Sequence, residues 1–215
     1  MSLPWLDKWS RSVNRVSAAS DYRHHFISWV SADTYRRGGE IMRPLRDMVF
    51  LSMLLGAGVI LQVIESIYLP PLIIPGAKLG LANSVTLLVI IFFTWKDALV
   101  HTVVRVLTVS LLTGTFLSTT FLYSLAGGLT SAIMMIFWSR HFYGAFSYAG
   151  ISLIGALTHN MTQLFLAILI LGHVGIVSLL PWLIFMAIIA GVPNGLLVNL
   201  VQPRLQKINE QLLRA

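Results

Sequence analysis

Between Val49 and Leu200 the chain carries only four basic residues (Lys78, Lys96, Arg105, Arg140) and two acids (Glu65, Asp97). The apolar runs between these charges reach about twenty residues, enough for a helix to cross a hydrocarbon core of about 30 Å. Lipid offers no hydrogen bonds, so a spanning segment must satisfy its own backbone, which selects helix. Charged residues make up 11% of the sequence, whereas an average soluble domain has about 25%. The sequence therefore predicts an all-α membrane protein with three parts: a cytoplasmic or interfacial extension (1–48), a transmembrane domain (49–201) and a cytoplasmic tail (202–215).

Six spans are expected, at about 49–69, 79–94, 98–112, 120–138, 149–171 and 181–200. The last is expected to be interrupted at Gly191-Val192-Pro193-Asn194-Gly195. With six crossings, the extension, Lys96, Arg140 and the Arg204/Lys207/Arg214 tail fall on one side and Lys78 alone on the other. The positive-inside rule then puts both termini in the cytoplasm. In the extension, Leu3, Trp5, Leu6, Trp9, Val13 and Val16 recur near helical spacing, as in an amphipathic helix lying on the membrane surface.

The net charge of +7 would suit nucleic acid in a soluble protein. Here the excess lies mostly in the terminal segments, where anionic membrane lipids are the natural partner, and nucleic acid is not expected. The chain has no cysteine, which excludes disulfides and thiolate chemistry. His24-His25 are adjacent and do not share a helix face, so no metal site is expected. No cleavable signal peptide is expected, because the first apolar run begins far from the start. The sequence has no Gly-Lys-Ser/Thr phosphate loop and no His-Glu-x-x-His. Neither a cofactor nor a catalytic residue is expected.

The segment Pro70 to Ser84 holds three prolines and two glycines between two apolar runs, together with Lys78 and Asn83. Broken backbone at membrane depth is tolerated where it is buried in protein or lines a cavity. Lys78 lies beside the amino-terminal end of the next span, where the helix dipole also favours an anion. Arg105 lies well inside the third span, where a charge costs roughly 2.5–3.5 kcal/mol on insertion scales and must face a cavity or a partner. An ion pair between Glu65 and Arg105 is the structural alternative. In the fifth span His159, Asn160 and Gln163 bring polar side chains to mid-membrane depth. Lys78, Asn83, Arg105, His159, Asn160 and Gln163 are thus the candidate substrate-binding residues, with Tyr68, Tyr123 or Trp182 available to cover an apolar portion. Ser52 and Gly56, four apart, and the adjacent Gly127 and Gly128 are the candidate sites of close helix packing, internal contact being the favoured reading for the first pair.

The stretch from Ile74 to Asn83, then Arg105, Ser124-Leu125-Ala126-Gly127-Gly128 and Gly155 through Gln163, resembles the Gx transporter family, also labelled heptaprenyl diphosphate synthase component I. That family is similar to the substrate-binding S components of energy-coupling factor transporters. The resemblance implies an S-component-like six-helix bundle in the bacterial cytoplasmic (inner) membrane. Its substrate would be a small anionic or amphipathic compound, and an energising or membrane partner protein is a further expectation. The loop holding Pro70, Pro75 and Gly76 would be the lid. The chain departs from S components in having Ser52 and Gly56 where those often carry paired alanines for docking. The other family label implies an accessory membrane subunit of isoprenoid synthesis, since no aspartate-rich diphosphate site is present for catalysis. A membrane scaffold of a redox or assembly complex is a third reading.

Overall fold

A computed structural model of the chain describes residues 45–68, 80–142 and 146–214. The extension up to residue 44 and the segment holding Pro70, Pro75, Gly76 and Lys78 lie outside the described residues, as does the side chain of Tyr68. The chain divides after Met48 into two units, and the helical bundle is the second, Val49–Ala215.

Six α-helices are described: α1 (Leu45–Tyr68), α2 (Ala82–Phe92), α3 (Trp95–Leu112), α4 (Thr119–His141), α5 (Tyr148–Leu171) and α6 (Leu180–Arg214). A 3-10 turn, Val174–Leu179, joins α5 to α6. Four helical segments are long and apolar enough to cross a membrane: Asp47–Ser66, Thr119–His141, Tyr148–Leu171 and Val174–Lys207. Polar side chains lie inside while many Leu, Ile, Val and Phe side chains face out. A surface this apolar suits lipid rather than water. The chain is a membrane protein.

Local chemistry sets the helix ends. Thr94 and Asp97 form a reciprocal capping box at the start of α3, satisfying two amides that would otherwise be orphaned. Ser118 and Ser147 cap α4 and α5 in the same sense, each accepting from a backbone N–H three residues on. Gly172 ends α5 in the left-handed region at φ +65°.

The shortest helix is the central one. All of α2 except Ile90 is buried, and it contacts α3, α4, α5 and α6. At eleven residues it is about 16 Å long, half the depth of a bilayer core. Its carboxyl end is anchored by Phe92 and Phe93 packing against Phe50 of α1.

The interruption expected at Gly191–Gly195 is not there. α6 runs unbroken for 35 residues through Pro193 and Pro203, taking in Gln202 to Arg214 as well. Proline removes one ladder bond at each position, and packing holds the helix together across the first gap. Gly191 and Gly195 lie against the backbone of α5, so close that a Cβ on Gly195 would stand 2.2 Å from Ala149 Cα. These glycines let two helices meet main chain to main chain.

The internal contact expected at Ser52 and Gly56 is also absent at the glycine. Both residues are exposed, and a Cβ on Gly56 would meet nothing within 4 Å among the described residues. Gly58 is the packed glycine of α1, facing Arg105, His101 and Val85. Gly127 and Gly128 of α4 do pack closely, against His159 and Thr102 respectively.

Candidate functional site

The buried face of α1 is drawn by Leu54, Gly58, Gln62 and Glu65. Their spacing of three and four puts them on one stripe, and Glu65 at its far end is 1% exposed. Its carboxylate reaches the chain just before α2, where one oxygen accepts from Gly80 N–H at 2.6 Å and the other from Leu81 N–H at 3.1 Å. Gly80 has φ +77° and Leu81 is right-handed helical. A left-handed residue followed by a right-handed one turns successive amides into one concavity, the arrangement that binds anions.

Two more buried side chains grip the same turn. Arg105 Nη1 donates to the carbonyl of Ala82. Asn194 Nδ2, from α6, donates to the carbonyl of Gly80 at 3.1 Å. Residues 80–82 are therefore held by α1, α3 and α6 at once. The expected Glu65–Arg105 pairing takes a different form. Glu65 and Arg105 feel each other's charge, but each has its described hydrogen bonds on backbone groups of this turn, Glu65 on the amides and Arg105 on a carbonyl.

Several polar atoms around this turn are buried with no hydrogen-bond partner among the described residues. They include Arg105 Nε, Asn83 Nδ2, Gln62 Oε1 and both ring nitrogens of His101. Asn83 and Arg105 are 3% and 2% exposed. Asn83 Nδ2 lies 3.0 Å from where a Gly80 Cβ would stand, beside the amides that Glu65 occupies. A backbone group of Leu54 lies by the His101 ring, outside hydrogen-bonding geometry. Unsatisfied buried donors cost about 1–3 kcal/mol each, so a set of them marks a place built for an occupant or ordered water.

A second polar pair lies on α5. Gln163 Nε2 and His159 Nε2 are 3.0 Å apart. The amide nitrogen can only donate, so the imidazole accepts there and carries its proton on Nδ1. The His159 ring fills the space over Gly127, and Arg105 Nη2 approaches the next residue, Gly128. Adjacent glycines on α4 thus bring the α3 and α5 groups towards one another. Asn160 turns elsewhere, its Nδ2 donating to the Leu183 carbonyl of α6 at 3.0 Å. Lys78 lies outside the described residues.

Asn194 and Gln62 were missed by sequence reasoning. Gln62 carries a usable signal, since it lies four residues after Gly58 and three before Glu65 on the buried stripe. Asn194 had only its place between Pro193 and Gly195, which reads as a break.

The family model described as heptaprenyl diphosphate synthase component I matches residues 54–201. The chain belongs to that family. No curated protein and no solved structure matches it. The component I match covers Glu65, Gly80, Asn83, Arg105 and Asn194, so the whole described part of the turn lies within the family region. Among the described residues of this component I chain, no group of three or more His, Cys, Asp or Glu is placed to hold a metal ion.

Proposed function

We propose that this chain is a multi-pass protein of the bacterial cytoplasmic membrane that binds and translocates a small anionic or amphipathic compound, in the manner of an S component. The observation that carries this reading is the pair of buried, unpartnered donors, Asn83 Nδ2 and Arg105 Nε, beside the first turn of α2. Transporters of several folds place the amino terminus of a half-length helix near the bilayer midplane and aim it at substrate. Counting from the polar turn at Thr94–Asp97, the start of α2 and Arg105 both lie about 15 Å into the membrane, close to its middle. In this reading Lys78, Asn83 and Arg105 hold the polar part, and His159 and Gln163 extend the lining. Asn160 keeps α6 against them, and the stretch Pro70–Lys78 serves as the lid. Six crossings with both termini inside follow from the basic residues.

Saturable binding to the purified full-length protein tests this, read by native mass spectrometry of what co-purifies and by titration. Arg105→Ala, Asn83→Ala and Lys78→Ala should each abolish or sharply weaken binding while the protein stays folded. Unaltered binding in all three would exclude the site.

The family description favours a second reading, an accessory membrane subunit of heptaprenyl diphosphate synthesis. It predicts co-purification with a soluble synthase and a rise in prenyl product when the two are combined, with no dependence on Arg105.

A further inference from the structure

We infer that the amino terminus of α2 is an oxyanion site now filled by the chain's own Glu65 carboxylate, and that the captured compound presents a carboxylate that displaces it. The inference rests on the capture reading and names the chemical class of its ligand.

Three observations carry it. The Gly80–Leu81 amides form a concavity bound by both oxygens of one carboxylate, so its preference for that group is displayed by the structure itself. The concavity lies at the amino terminus of an eleven-residue helix, where the dipole adds about half a positive charge. Asn83 Nδ2, buried and unpartnered, lies beside Gly80, and Arg105 Nε, also unpartnered, belongs to a guanidinium tied to Ala82.

These are four N–H donors around one turn, and Glu65 uses the two backbone ones. A carboxylate has two oxygens with about four lone-pair sites. With Glu65 in place, Asn83 Nδ2 and Arg105 Nε have no hydrogen-bond partner among the described residues. A free carboxylate can face Asn83 and Arg105 as well. Arg105, tied to Ala82, brings positive charge to this turn, which suits an anionic group. Asn194 holds the Gly80 carbonyl from α6, so the concavity keeps its shape while Glu65 withdraws. An internal ligand of this kind keeps the buried amides satisfied when no substrate is present.

The test compares full-length wild-type protein and Glu65→Gln in lipid nanodiscs, titrated with butyrate and with its neutral amide, butyramide. Displacing an internal carboxylate lowers apparent affinity by the fraction of time the site stands open. Minor states are commonly 0.1–10% populated, so Glu65→Gln should bind butyrate about tenfold tighter or more, with butyramide unmoved. Equal or weaker butyrate binding in Glu65→Gln overturns the inference, leaving Glu65 as a cap only. If Glu65→Gln fails to fold, Asn83→Ala replaces it and must weaken butyrate severalfold without changing butyramide. An unchanged butyrate affinity there overturns the inference equally. Butyramide binding as well as butyrate in every variant leaves capture standing and removes the oxyanion assignment, whereas binding of neither probe removes both.

Discussion

Gly195→Ala tests the α5–α6 contact directly. The new Cβ would stand 2.2 Å from Ala149 Cα, 2.6 Å from the Tyr148 carbonyl oxygen and 2.7 Å from Ala149 N. All three are main-chain atoms, so no side-chain rotation relieves the overlap. Ordinary carbon contacts are about 3.5–4.0 Å, which means the helices must part locally by roughly 1.5 Å. Forcing an extra carbon into a packed site costs about 1–3 kcal/mol, and alanine returns about 0.5–1 kcal/mol of helix propensity. Because the overlap is with main chain the upper part of that cost applies, about 2–3 kcal/mol, so the net loss should be about 1–2.5 kcal/mol, a fall of some 2–10 °C in Tm at about 2–4 °C per kcal/mol. Gly56→Ala is the matched control, since its Cβ meets nothing within 4 Å among the described residues and it should keep or raise Tm. Both are read by tryptophan-fluorescence melts in one detergent. A Gly195→Ala melt at or above wild type, or an equal fall in Gly56→Ala, would refute the reasoning.

Gly80→Ala forces a side chain into φ +77°, at about 1–2 kcal/mol, and should lower the melting temperature. A melt unchanged from wild type would show that the turn has another conformation. Asn160→Leu removes the tie to the Leu183 carbonyl and should destabilise by about 1 kcal/mol in a denaturant titration, with ligand binding retained. Thr130 and Thr162 share a 2.8 Å hydroxyl contact between α4 and α5. A Thr130→Val, Thr162→Val double-mutant cycle should give a coupling near 0.6 kcal/mol, and zero coupling would assign their stability to separate backbone bonds.

The helices were legible because hydropathy and helix-starting residues agree. Ser118, Ser147 and the Thr94/Asp97 box stand where spans begin, and polar turns separate the runs. Gly191-Val192-Pro193-Asn194-Gly195 was misread because local propensity argues for a break there. The deciding term is tertiary: both glycines meet the backbone of α5, and the helix continues through them. The same limit applies to Ser52 and Gly56. Their spacing suits packing, but only the fold shows that Gly58 is the residue turned inward. For the site, the sequence supplied Glu65, Asn83 and Arg105 as buried polar groups that needed partners. An ion pair between Glu65 and Arg105 stood as the alternative, because charge complementarity is visible in a sequence. Backbone amides are not, and the left-handed Gly80 that presents them is one glycine among sixteen. Asn194, some 114 positions from the carbonyl it holds, carried no local sign of that role.

α6 is 35 residues long, or about 52 Å, against a hydrocarbon depth of about 30 Å. The helix is thus about 20 Å longer than a span needs, and its closest approach to α5 is at Gly191 and Gly195. With that contact as the fixed point, a rocking of 10° would sweep the far tip, about 32 Å away, through about 5–6 Å. A spin label or fluorophore near Leu212 would then convert small tilts of the buried bundle into a distance large enough to measure.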